Sequence, residues 1–211
     1  GIPASFAPAR LAELDQHALN APKAVEGSVK ELAAYLAQPA RDDFEKTRTI
    51  YRWIAQNIAY DVKAFFSKQY GDQSTEAVLR RRTGVCEGYA NLFQALARAA
   101  GVEVVKVSGW AKGLGYNLSE LNGDTNHAWN AIEVGTDWYL IDSTWGAGHT
   151  DESREFVREF SDYYWLAPPQ QLIHTHFPED NRWQLLSPSV TRTGFAALPE
   201  LKPGFFDLGL Q

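Results

Sequence analysis

Methionine is absent from the chain, cysteine occurs once, and no apolar run approaches the ~20 residues needed to span a bilayer. Without a methionine the chain carries no initiator, so processing or trimming is expected. A single cysteine forbids an intrachain disulfide and cannot build a cysteine-rich zinc site alone. Gly1–Ala24 holds Arg10, Glu13, Asp15 and His17 but no apolar h-region, so it does not read as a signal peptide. The compartment stays open, with a secreted or periplasmic location after removal of an unseen signal peptide among the readings. Positive charge is also scarce: 20 Lys and Arg stand against 26 Asp and Glu, for a net charge of −6. That balance disfavours nucleic acid and anionic membranes as partners. Gly113–Gly115 has no accompanying Gly-x-x-x-x-Gly-Lys, which excludes a phosphate loop there.

What is present is a core-former. The 211 residues are 45% hydrophobic and 13% aromatic, with seven Trp. A chain of this size buries about 70% of its extended surface, enough for one core without an ordinary second domain. The prolines Pro3, Pro8 and Pro22 make the first 25 residues an extended arm with a short helix over Arg10–Leu19. Ser28 and Glu31 form a capping box before a helix that stops ahead of Pro39. Phe44, Thr47, Tyr51, Ile54, Ala55 and Ile58 then mark a longer helix, with Asp43, Glu45, Arg48 and Arg52 on its outer face. Phe65–Ser74 reads as a loop, and Ser74 caps a short helix through Arg82. A strong amphipathic helix begins near Cys86 and stops at Gly101.

After Gly101 the hydrophobic period becomes two. Strands are predicted over Val102–Trp110, Asn126–Val134 and Asp137–Thr144, with a polar loop at Lys112–Thr125. Gly135-Thr136 suits a type II′ hairpin turn. Beyond Gly148 the pattern is irregular, with no repeat and no linker. The fold class is α+β, helices first and then an antiparallel sheet.

Cys86 falls in the first turn of its helix, where unpaired N–H groups and the helix dipole favour a thiolate. A small buried apolar residue is the plainer alternative. If Gly135-Thr136 are the turn residues, His127 is opposite Thr144 and Asp142 is its diagonal neighbour on the same face. Such neighbours lie within ~7–8 Å, so an imidazole and a carboxylate come together, either to ionise a thiol or as a structural pair. His174-Thr175-His176 has a metal-like spacing but lacks a further ligand. Glu87 reads as a charge complementing the helix dipole. Trp129 and Trp145 are placed to wall a cleft beside His127 and Asp142.

Three ordered segments, Thr83-Gly-Val-Cys86-Glu-Gly-Tyr-Ala90, Asn126-His127-Ala-Trp-Asn130 and Asp142-Ser-Thr-Trp-Gly146, resemble the transglutaminase-like superfamily. Trp53–Asp61, Trp145–His149 and His176–Leu186 are similar to the branch that includes kyphoscoliosis peptidase. The likeness runs from about Phe44 to the C-terminus. It implies a papain-like core with N-terminal helices, the Cys at a helix N-terminus, and an antiparallel sheet carrying His and Asp. It also implies a Cys86–His127–Asp142 triad with no cofactor and no metal, and makes His176-Phe-Pro a structural turn. The ending from Asp207 resembles the point where relatives of this branch continue into a further domain.

Three regions are expected: an arm and helices over 1–40, the catalytic core over 41–186 and a packed extension over 187–211. The expected activity is thiol-dependent acyl transfer, as a cysteine peptidase or amidase acting through a thioester on peptide or glutamine-type amides. A transglutaminase with an amine acceptor is the alternative, as is a non-catalytic binding adaptor, because some members of the branch have lost the cysteine. The expected partner is a protein or peptide substrate, without nucleic acid and without membrane insertion. Tyr60 and Trp53 are the candidates for a second oxyanion donor, and the oligomeric state is not written in the sequence.

Overall fold

The computed structural model describes residues 6–113 and 116–209, so the expectations for Pro3, for Gly115 and for the last two residues lie outside the described residues. Helices α1 (Pro8–Leu19), α2 (Val29–Ala37) and α3 (Asp43–Asn57) come first. Ser28 caps α2 by accepting from the Glu31 amide, and Asp42 caps α3 through the Glu45 amide. The short strand β1 (Ala59–Tyr60) leads to α4 (Val62–Ser67) and α5 (Thr75–Arg81). Strand β2 (Thr83–Gly84) pairs in parallel with β1 and opens directly into α6 (Cys86–Ala99).

The loop expected at Phe65–Ser74 begins later than that, because the Asp61 carboxylate caps the Ala64 amide and starts α4. Glu45 and Arg48, expected on the outer face of α3, are both buried. The Arg48 guanidinium grips Asp15 of α1 at 2.6 Å and Asp162 at 2.5 Å, and lies over the Phe160 and Trp165 rings. Glu45 pairs with Arg10 at 2.7 Å. Both charges find counterions on elements distant in sequence, which a helical wheel of α3 does not contain.

The main sheet has five strands in the order β8-β5-β4-β3-β9, comprising β3 (Glu103–Ala111), β4 (His127–Val134), β5 (Asp137–Ile141), β8 (Trp165–Ala167) and β9 (His176–Pro178). A hairpin of β6 (Gly148–Thr150) and β7 (Phe156–Arg158) stands apart from it. Val134 pairs with Asp137 around Gly135, whose φ of +68° is what the first position of a type II′ turn requires. Pairing stops at Asn130↔Ile141, earlier than predicted. A register shift against β8 falls at Leu140/Ile141, and the Asp142 amide turns away to donate to Tyr164 O at 2.9 Å.

Helix α6 packs on one face of this sheet, where Asn130 Nδ2 donates to Ala90 O and Lys106 reaches Glu87 and Asn91. Helices α7 (Pro169–Leu172), α8 (Arg192–Ala197) and α9 (Pro203–Asp207) complete the chain. Phe195 of α8 joins Trp110 and Phe177 in a second apolar cluster at the β9 edge. Among the described residues, no helix is long and apolar enough to cross a membrane.

Candidate active site

Cys86 is the first residue of α6, preceded by the extended Val85 whose amide donates to Gln73 Oε1 at 3.0 Å. The β1–β2 pair sets Tyr60 beside this helix start, with the Asp61 amide on Gly84 O at 3.0 Å. Tyr60, Cys86, His127 and Trp145 line one open cleft. Trp53 does not reach it, because its ring is fully buried and its Nε1 donates to Glu26 Oε1 at 3.1 Å. Trp129 is likewise buried, stacked beneath His127 rather than walling the cleft.

His127 begins β4, and its Nε2 lies 2.7 Å from Asp142 Oδ2. That bond leaves Nδ1 as the uncommitted ring nitrogen. Asp142 is held in turn: its Oδ1 accepts the Thr144 and Trp145 amides at 2.8 and 3.1 Å. The expected His–Asp juxtaposition therefore forms, although an Asx-type turn rather than a continued strand presents the carboxylate.

His176 was expected in a structural turn. It lies instead on β9, buried, with Nε2 2.9 Å from the same Oδ2. The signal that could have found it was the His176-Phe-Pro segment itself, whose apolar neighbours read equally as a turn or as an edge strand. His174 is half-buried and turned toward Pro199 O, so the two histidines do not act as a pair. His127, Asp142 and His176 put three potential ligand atoms within 4.8 Å of one another, but in this arrangement each imidazole Nε2 is engaged by Asp142 Oδ2.

The charges are divided unevenly. Burial alone would push the His127 imidazole down, but the Asp142 charge and hydrogen bond, with a further contribution from Cys86, push it up to about 10. Burial works to raise the Asp142 carboxyl, yet the two histidines hold it well below the usual carboxylate range. Burial prevails at His176 and lowers it despite Asp142. At neutral pH the site therefore contains an imidazolium, a carboxylate and a neutral imidazole.

A cysteine at a helix start, set against a histidine on an antiparallel sheet and an acid just past the end of the adjacent strand, defines the papain-like class of α+β folds. The chain belongs to the transglutaminase-like superfamily, whose family model matches residues 30–143. It is 37% identical to kyphoscoliosis peptidase of Mus musculus over 188 residues, covering 88% of this chain and 28% of that protein. It is 29% identical to hillarin of Drosophila melanogaster over 218 residues, covering 97% of this chain and 26% of that one. The chain thus spans little more than a quarter of these relatives. Among solved structures, a chain from Cytophaga hutchinsonii superposes with a TM-score of 0.45 at 22% identity, over 60% of this chain and 44% of its own length. A structure titled as a TGase gives 0.41 at 18% identity, over 77% and 38%.

Proposed function

We propose that the chain is a thiol-dependent acyl-transfer enzyme, a cysteine peptidase or amidase in which Cys86, His127 and Asp142 form the triad. The observation that carries this reading is the 2.7 Å His127–Asp142 bond, which commits Nε2 and leaves the other ring nitrogen uncommitted in a cleft that Cys86 also lines at the α6 start. In this mechanism Cys86 Sγ attacks the carbonyl carbon, and the Cys86 backbone N–H, unpaired in the first helical turn, receives the oxyanion. Tyr60 is the candidate second donor. The His127 imidazolium gives its proton to the departing amine as the C–N bond breaks, leaving a thioester. Neutral His127 then takes a proton from water as the water oxygen attacks the thioester carbon, and the C–S bond breaks to free the acid and return the Cys86 thiolate beside the imidazolium. Asp142 keeps the ring oriented throughout.

We propose residues 41–186 as the core for this chemistry, 1–40 as an N-terminal arm and helices, 187–211 as a C-terminal extension, and the substrate as a protein or peptide. The test is intact-mass analysis after mixing with p-nitrophenyl acetate, then assay on peptide libraries with and without an added primary amine. One acetyl adduct on wild type and none on Cys86→Ala supports the reading. Amine incorporation in place of hydrolysis would make the chain a transglutaminase. A folded wild type that forms no adduct would return it to the binding-adaptor class.

A further inference from the structure

Asp142 Oδ2 serves two imidazoles, and the triad as proposed uses only one. The second, His176, is as deeply buried as the carboxylate itself, with each side chain 1% exposed. Its place is fixed by backbone pairing, Ala111 opposite His176 and Gly109 opposite Pro178. Its ring is wedged edge-on against Trp129 at 5.1 Å and Trp145 at 4.5 Å.

The tautomer is fixed as well. Thr175 Oγ1 lies 2.8 Å from His176 Nδ1, nearer than its other acceptor, Leu172 O, at 3.3 Å. With the threonine hydroxyl donating to Nδ1, the ring proton sits on Nε2 and is donated to Asp142. We propose that His176 is a positioning residue for this site, a permanent neutral donor that divides the Asp142 charge so that His127 can release its proton as well as hold it. This rests on the acyl-transfer reading above.

The reasoning is electrostatic. With the Thr144 and Trp145 amides on Oδ1 and His176 on Oδ2, His127 receives only part of the carboxylate's hydrogen-bonding capacity. Were His176 not a donor, the whole of Oδ2 would face His127, binding the imidazolium more tightly and weakening it as an acid. Among the described residues, no other side-chain hydrogen bond or ion pair to Asp142 is formed. From α6 the titratable groups are Cys86 and Tyr89, from α3 Tyr51, from β1 Tyr60, and before β8 Tyr164. Burial raises all four phenols, which keeps them neutral.

The experiment compares wild type with His176→Gln, which keeps an amide donor but cannot titrate, and His176→Phe, which keeps volume but not the donor. Thr175→Val supplies a third variant that leaves the ring in place. Two readouts are taken: the NMR titration of the His127 ring, and single-turnover rates on an activated ester against an anilide. An ester's phenolate leaves without a proton, whereas an anilide needs one from His127. In His176→Phe the His127 titration should move upward by about one unit, with anilide cleavage falling about tenfold and ester acylation largely kept. Gln should restore both, and Thr175→Val should shift His127 the same way by less.

A His127 titration within about 0.2 unit of wild type in both His176→Phe and Thr175→Val would overturn the proposal, as would a downward shift. If His176→Phe fails to fold, Thr175→Val decides by the same criterion. A wild type that is never acylated defeats the acyl-transfer reading, while the His127 titrations still report on His176.

Discussion

Gly109 and His127 face each other across β3 and β4, and on its other side Gly109 faces Pro178 of β9. The two site histidines therefore flank one strand, His127 opposite the point where it has no side chain and His176 two residues along, opposite Ala111. A Cβ on Gly109 would meet Phe177 O at 2.3 Å, Trp129 Cη2 at 2.6 Å and Pro178 Cα at 2.8 Å. Gly109→Ala should push β9 outward and lose about 2–3 kcal/mol of stability. Urea unfolding measures the loss, and Gly109→Ala unfolding at the wild-type midpoint would refute it.

Cys86→Ala removes the proposed nucleophile from the start of α6. Adduct formation and turnover should vanish, while stability changes by less than about 1 kcal/mol because Cys86 is only half-buried. Thermal melting beside the acylation assay checks both halves. Turnover surviving in this variant would end the covalent mechanism.

Asp142→Asn creates a conflict that has no good rotamer. One end of the side chain must accept from the Thr144 and Trp145 amides, and the other from two imidazole N–H groups. The amide NH₂ will face donors whichever way it turns. Activity should fall on the order of 10⁴-fold, with a stability loss of about 2–3 kcal/mol. His127 ring tautomers, read by NMR, should become mixed.

Stability should depend on pH from both sides. His127 is raised from 6.5 to about 10, so its contribution is complete below 6.5 and is lost as pH climbs toward 10. Asp142 is lowered from 3.8, so its contribution is present above that value and is lost as the solution is acidified further. His176 is lowered from 6.5 and likewise contributes above 6.5, losing that contribution on the acid side. Wild type should melt on the order of 5 °C lower at pH 10 than at pH 6.5. That alkaline decline should flatten in His127→Ala, as scanning calorimetry across the range will reveal.

Much of the site could be read in advance because its signals are local. The break at Thr83-Gly84-Val85 and the apolar spacing after it put Cys86 at a helix start, and Gly135-Thr136 set the β4–β5 register that brings the His127 and Asp142 ends together. The parts that escaped depend on contacts between distant segments. Arg48 looks solvent-facing until Asp15 and Asp162 arrive from elements 33 residues before it and beyond β7. Strands β8 and β9 have three residues each, too few to display a period, and they exist because β5 and β3 offer open edges. His176 was hidden for the same reason: its role comes from the strand it joins.

The order of the site residues along the chain has a consequence in time. Cys86 belongs to the helical first half, His127 and Asp142 to the hairpin that follows, and His176 to an edge strand later still. Synthesis runs from the N-terminus and proceeds at roughly 5–20 residues per second. The thiol is therefore made several seconds before the ring that would activate it. A ribosome stalled anywhere before the hairpin holds a helix bearing an unassisted cysteine, and a chain released short of β9 carries a carboxylate answered by one histidine instead of two. Under the acyl-transfer proposal, an unfinished chain therefore lacks the base that would activate its thiol.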